Sequence, residues 1–181
     1  LTRFDGPITV ALRGAVPPRA APDLSRLMAR LRAEAGIDIR PATPGASASV
    51  TINFESRAAL QRLVPSAACF VVPRVTSLDD YRANRSGGTT DWTDLTRRDR
   101  VAIFVPSDTS PQEVRDCLHE ELAQAIGIFQ QARHVQEARL AGSGRPHQVN
   151  QSAIHPELAP HVVVATSKSA NCHYSVRSKE S

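Results

Sequence analysis

The segment that most constrains the fold of this chain lies between residues 110 and 127. Ser110-Pro111-Gln112-Glu113 has the form of a capping box, in which serine accepts a hydrogen bond from the amide three residues on and glutamate reaches back. Gly127 stands where glycine commonly ends a helix. The segment predicts a helix over Ser110–Ile126, and one of its faces is apolar: Val114, Cys117, Leu118, Leu122 and Ala125.

The segments before this helix predict a sheet and a second long helix. Residues 8–13 and 50–54 alternate apolar and polar side chains, whereas 69–72 and 101–105 are continuously apolar, as in buried strands. An amphipathic helix capped by Asp23 is predicted from Asp23 to Ala35, and a short helix over 56–64. We therefore expect an α+β fold with a mixed sheet of about four strands and two main helices, ordered as in the N-terminal half of a zincin.

The chain changes character after Gly127, and this change sets the expected domain boundaries. Five of the six histidines and both lysines lie beyond it. We expect an α+β zincin-like domain over residues 1–127, a divergent and partly helical extension over 128–166, and a disordered tail over 167–181. The polar stretch 77–96 is expected to be a long surface excursion, anchored to the body by Trp92.

Composition and charge argue against two classes of partner. The formal charge is +4, but the arginines are scattered among acidic residues and aromatic residues make up only 4% of the chain, so nucleic-acid binding is not expected. No apolar run approaches the ~18 residues of a transmembrane helix. Because the chain starts at Leu1 rather than Met, we expect that Leu1 follows either a removed leader, which would allow a lipid anchor upstream, or an artificial boundary of the segment.

The predicted helix also carries residues at the spacing of a zinc-peptidase helix, which needs two ligands four residues apart and a glutamate after the first. With His119 as the first ligand, the second position is Ala123 and the pattern fails. Starting one residue later, Glu120 and Gln124 become the metal ligands, Glu121 the catalytic general base, and Gln130 falls at a third ligand position. Their oxygen atoms suit calcium, magnesium or manganese better than zinc.

Glu121 lies within the apolar face of the helix, where a carboxylate needs a partner, an ion or a raised pKa. Two interpretations stay open: a catalytic or site carboxylate, and a buried glutamate that orients the helix through an arginine or the backbone. Gln124, at the edge of the same face, is either a metal ligand or a hydrogen-bonding residue of the core. The tail histidines show no regular metal spacing: His134, His147, His155, His161 and His173.

Two cysteines fall on elements that are expected to pack together. Cys69 begins an apolar strand and Cys117 faces inward from the capped helix, so a Cys69–Cys117 disulfide is predicted; the alternative is two buried free thiols. A disulfide would indicate an oxidising compartment. Cys172 has no evident mate.

Six segments in order resemble a proteobacterial family of lipoproteins and secreted proteins called domain of unknown function 2927. The matching pieces are Leu1–Pro7, Ala33–Ile39, Cys69–Pro73, Asp91–Thr93, the strand ending Val105-Pro106, and Ser110–Leu118 running into Glu120–Gly127. The resemblance covers residues 1–127 and implies a location in the periplasm or cell envelope of a proteobacterium. It also implies that Glu120, Glu121 and Gln124 form the family's motif, and it supplies no established activity.

Three functions are compatible with these patterns. The favoured one is a non-catalytic envelope module that binds a protein or cell-wall component and needs no cofactor. The alternative is a metal-dependent peptidase or hydrolase, with a divalent metal ion as cofactor and Glu121 as general base. A nucleic-acid binder is the third and would show steeply salt-dependent affinity. The first is favoured because all three histidine positions of the peptidase pattern are replaced.

Overall fold

The computed structural model describes residues 4–92 and 95–127, which form one α+β unit. In chain order its elements are β1 (Ile8–Gly14), α1 (Ala20–Ala35), β2 (Ile39–Pro41), β3 (Val50–Glu55), α2 (Arg57–Gln61), β4 (Phe70–Pro73), α3 (Leu78–Asn84), β5 (Val101–Pro106) and α4 (Pro111–Ile126). The predicted extension and tail, with Cys172 and the five tail histidines, lie outside the described residues.

The strands form a mixed sheet, as the sequence predicts, and their order is β2-β1-β3-β5-β4. Strands β2, β1, β3 and β5 run parallel to their neighbours, and β4 pairs antiparallel with β5 at the edge. The register of the central pair runs from Val50↔Val101 to Glu55↔Pro106. The strand that brings the number from about four to five is β2, which has only three residues and therefore shows no periodicity of its own.

Helices cover both faces of the sheet. On one face α1 and α4 contact each other and the strands, and the alternate side chains Val10, Ile52 and Ile103 point toward them. On the other face α2 and α3 pack against Phe104, whose ring lies 4.9 Å from Phe70 and 6.0 Å from Tyr81. The continuously apolar sequence of β5 follows from this arrangement, because a strand covered on both faces exposes neither set of side chains.

Helix α1 begins at Ala20 rather than at Asp23, so the predicted cap is wrong. Pro22 is compatible with the first turn, since the amide that proline lacks has no helical partner there. Asp23 lies inside the helix and is buried; its carboxylate pairs with Arg26 and stands 3.6 Å from Nε of Arg115 on α4. This aspartate therefore contributes to the contact between the two long helices.

The stretch 77–96 is not wholly irregular, because it contains α3. The Ser77 hydroxyl accepts a hydrogen bond from the amide of Asp80 at 3.1 Å and so caps the helix. With seven residues and Leu78 as its one buried side chain, α3 is too short to show an apolar period. Trp92 packs against the main core, as expected of an anchor.

No helix in residues 4–92 and 95–127 combines the length and the apolar character that a bilayer crossing requires.

Candidate functional site

Helix α4 is built as its sequence predicts at both ends. The Ser110 hydroxyl accepts from the amide of Glu113 at 3.2 Å, and Gly127 ends the helix with a φ of 86°. The second half of the capping box is replaced by other contacts: the Glu113 carboxylate accepts from the Thr109 hydroxyl and from the Arg57 guanidinium. Those bonds, with Thr109 contributing most, hold the pKa of Glu113 below its usual value.

Glu121 is buried among apolar side chains, as its position on the helix predicts. Only 3% of its surface is exposed, and Cys117 and Ala125, one turn to either side, are buried as well. Its Oε2 atom has no hydrogen-bond partner among the described residues. A carboxylate in this position loses hydration without regaining it from the protein.

The protonation of Glu121 follows from this environment. Burial raises the pKa of its carboxyl to about 7, and the nearby charge of Glu120 adds to the effect. The group is therefore divided between its neutral and charged forms near neutral pH, whereas an exposed glutamate is fully ionised there.

The two predicted metal ligands lie in environments unlike that of Glu121. Glu120 is exposed, and Gln124 is half-buried and already engaged in interactions. In the described part of the chain, no three His, Cys, Asp or Glu side chains come together as a metal-holding group. The side chains of the described residues therefore do not supply enough ligands for a metal centre by themselves.

The predicted disulfide is present and lies one helical turn before Glu121. It joins Cys69, directly before β4, to Cys117 on α4, with a Cα–Cα distance of 6.0 Å. The covalent bond fixes the edge strand against the helix, and both cysteines belong to the main apolar core.

Arg98 is a buried residue near this site that the sequence analysis does not identify. Its guanidinium donates to the carbonyl of Gln124 at 2.9 Å and to that of Ala125, and it lies 5.0 Å from the centre of the Trp92 ring. A cation at the C-terminal end of a helix is favourable because the last carbonyls have no helical partners. Nothing in the run Arg97-Arg98-Asp99-Arg100 distinguishes Arg98 from its neighbours.

Gly127 permits this arrangement. A Cβ atom at Gly127 would lie 3.3 Å from the guanidinium of Arg98, and the φ of 86° disfavours other residues. Two features therefore favour glycine at position 127: it ends α4, and it leaves room for Arg98 beside the backbone.

His119 is separate from these groups in its chemistry. It is half-buried, and burial is the main cause that lowers its pKa, followed by the charge of Arg30. It is therefore mainly neutral at pH 7.

Comparison with known proteins gives a family and no activity. A family model described as "Protein of unknown function (DUF2927)" matches residues 1–138, eleven residues beyond the segment recognised from its motifs. No curated protein and no solved structure matches the chain. Since the family model covers about three quarters of the sequence, the chain belongs to the DUF2927 family of proteins of unknown function.

Proposed function

We propose that this protein is a non-catalytic binding or structural module of a proteobacterial cell envelope, built on a degenerate zincin-like helix. The observation that carries the proposal is the environment of Glu121. This carboxyl is buried on α4 at the position where a peptidase pattern would place its general base, while Glu120 and Gln124 occupy the positions of the histidine ligands. The partner would be a protein or a cell-wall component.

Two features support the proposed location in the cell envelope and the proposed zincin-like fold. The Cys69–Cys117 disulfide favours an oxidising compartment such as the periplasm. The mixed sheet, with β4 antiparallel at the edge and α4 packed against it, agrees with the expectation of a zincin-like N-terminal half. Similarity of fold is an analogy only and does not imply a shared activity.

Elemental analysis tests the non-catalytic character. The full chain, purified without chelators and dialysed against metal-free buffer, should retain no stoichiometric zinc, manganese, magnesium or calcium. Glu120→Gln and Glu121→Gln serve as matched variants, one exposed and one buried. One metal ion per chain would overturn the proposal, and its loss in Glu120→Gln would locate it at α4.

A second candidate, a metal-dependent hydrolase, is favoured by one observation. The pKa of about 7 at Glu121 is close to the value that suits a general base at neutral pH. In that function the carboxylate would accept a proton from the attacking water, and Glu121→Gln would abolish peptide hydrolysis while Glu120→Gln reduces metal affinity. The donor set described above makes this the weaker of the two proposals.

A further inference from the structure

A cavity at the β1–β2 edge of the sheet, on the face covered by α1, is bordered by unpaired backbone groups of β1. It has a volume of about 480 Å³ and lies between the last residues of β1, helix α1 and the loop 41–46. This volume is within the range of roughly 300–1,000 Å³ that is typical of small-ligand sites. Its apolar lining includes Leu12 of β1 and Leu24 and Met28 of α1.

The pairing of β1 leaves one residue with free hydrogen-bonding groups at this cavity. The Ile8 amide donates to Asp38, and the Val10 carbonyl accepts from Ala42, both at 2.8 Å. Backbone groups of alternate residues point to the same side of a strand, so Leu12 also presents its N–H and C=O toward the β2 side. β2 ends at Pro41, opposite Val10, so that no strand of residues 4–92 and 95–127 faces Leu12.

Neither backbone group of Leu12 makes a hydrogen bond with another described residue. Buried or half-buried backbone groups in proteins are nearly always paired, and an unpaired donor and acceptor on one residue form the template for an added strand. Leu12 is itself half-buried and lines the cavity. The partner that this residue fits is therefore another extended main chain.

The charge at the cavity has one sign. Arg13 is the only ionisable residue among those lining it, and it is exposed and makes no ion pair with the described residues. The Arg13 side chain leaves β1 on the face opposite to that of Leu12, and no strand among the described residues separates it from the open edge of β1. A ligand that carries a carboxylate beside its paired main chain would complement both residues.

We propose that this cavity binds the carboxyl-terminal end of a short extended peptide. The peptide main chain pairs with Leu12, an apolar side chain enters between Leu24 and Met28, and the terminal carboxylate pairs with Arg13. The inference rests on the proposed binding function and names its ligand class.

The test uses the full 181-residue chain and the probe N-acetyl-Ala-Leu-Ala with a free carboxylate, titrated by calorimetry. The same peptide with a C-terminal amide should bind about threefold more weakly, as expected for an exposed ion pair. A version methylated at the leucine nitrogen should lose about fivefold, the effect of one hydrogen bond. The Leu12 amide, followed by hydrogen exchange, should become protected when the peptide is bound.

Two tryptophan variants on α1 localise the binding. Ser25 is exposed and lines the cavity, whereas Ala29 is exposed on the same helix and does not line it. Ser25→Trp should abolish binding and Ala29→Trp should leave it unchanged, while Arg13→Gln should remove the preference for the free carboxylate.

Absence of binding, equal affinity for acid and amide, or full binding by Ser25→Trp would overturn the inference. These outcomes are distinct from a failure of the proposed function, because stoichiometric metal overturns the latter whatever the peptide does. A metal-free protein that ignores the peptide overturns only the ligand assignment.

Discussion

Single residues in this protein are held in environments that oppose their usual ionisation or exposure. One carboxylate oxygen of Glu121 has no hydrogen-bond partner within the described part of the chain, whereas the buried Arg98 obtains helix carbonyls as acceptors and the Trp92 ring as a neighbour. Glu121 lies on α4, and Arg98 contacts the C-terminal end of the same helix. Their effects on stability should nevertheless have opposite signs at neutral pH, because one buried charge is compensated and the other is not.

The pKa of Glu121 makes stability depend on pH. Its folded value of about 7 lies above its ordinary value of 4.5, so the folded state binds more protons than the unfolded state between these limits. The favourable contribution is complete below about pH 4.5 and is lost as the pH rises through about 7. A shift of this size corresponds to on the order of 3 kcal/mol.

Urea unfolding at pH 5 and pH 8 measures this contribution. Glu121→Gln should be more stable than the native protein at pH 8, and the difference should nearly vanish at pH 5. Glu120→Gln, an exposed neighbour, is the control and should show a much smaller change between the two pH values. An unchanged difference between native protein and Glu121→Gln at both pH values would contradict the expectation.

Replacement of Arg98 should be costly. Arg98→Met removes two hydrogen bonds from a charged donor to the carbonyls of Gln124 and Ala125, and we expect a loss of about 3 kcal/mol in the free energy of unfolding. Unfolding can be followed through the fluorescence of Trp92, the only tryptophan of the chain. Arg97→Met is the control and should change stability by less than about 0.5 kcal/mol, because Arg97 is exposed. Similar losses of stability in both variants would refute the role of Arg98.

At the scale of elements, α4 is fixed along its whole length by interactions of different kinds. Its first turn is bound to α2 through Arg57 and Glu113, its middle to β4 through the disulfide, and its last turn to Arg98. Each interaction comes from a different part of the chain. The position of Glu121 is therefore determined by the surrounding elements as much as by its own helix.

The disulfide is the covalent part of this arrangement. It closes a loop with a sequence separation of 48 residues, for which loop-closure entropy gives a stabilisation of about 4 kcal/mol. The double variant Cys69→Ala/Cys117→Ala should lose up to this amount in guanidinium unfolding, and a reducing agent should lower the stability of the native protein and leave the variant unaffected. Cys172→Ala is the control. A native protein that is insensitive to reduction would contradict the prediction.

At the scale of the whole molecule, the sheet is organised around its two central strands. β3 and β5 pair over six positions, and in β5 every residue is buried. The edges are weaker: β2 has three residues and β4 has four. Stability should therefore decrease from the centre of the sheet outward.

Native-state hydrogen exchange tests this gradient. The amides of β3 and β5 should exchange most slowly, at rates set by global unfolding, and those of β2 and α3 should exchange faster through local opening. A β2 strand as protected as β5 would mean that the molecule opens only as a whole.

The sequence by itself determined the elements whose signals are local. The cap at Ser110, the stop at Gly127, the apolar pattern of α4 and the continuous apolar strand β5 predict their structures because each depends on residues within one or two turns. The inward orientation of Glu121 follows from the same helical period. The Cys69–Cys117 bond could be predicted because both cysteines lie on elements with clear apolar faces.

Only the tertiary structure decided which distant groups meet. The burial of Arg98, the end of β2 opposite Val10 that leaves Leu12 unpaired, and the start of α1 at Ala20 depend on contacts between segments far apart in the chain. Short elements such as β2 and α3 bury too few residues to show a hydrophobic periodicity in the sequence, so packing against the rest of the molecule sets their structure. Local sequence fixes which faces must be buried, and the fold decides what they are buried against.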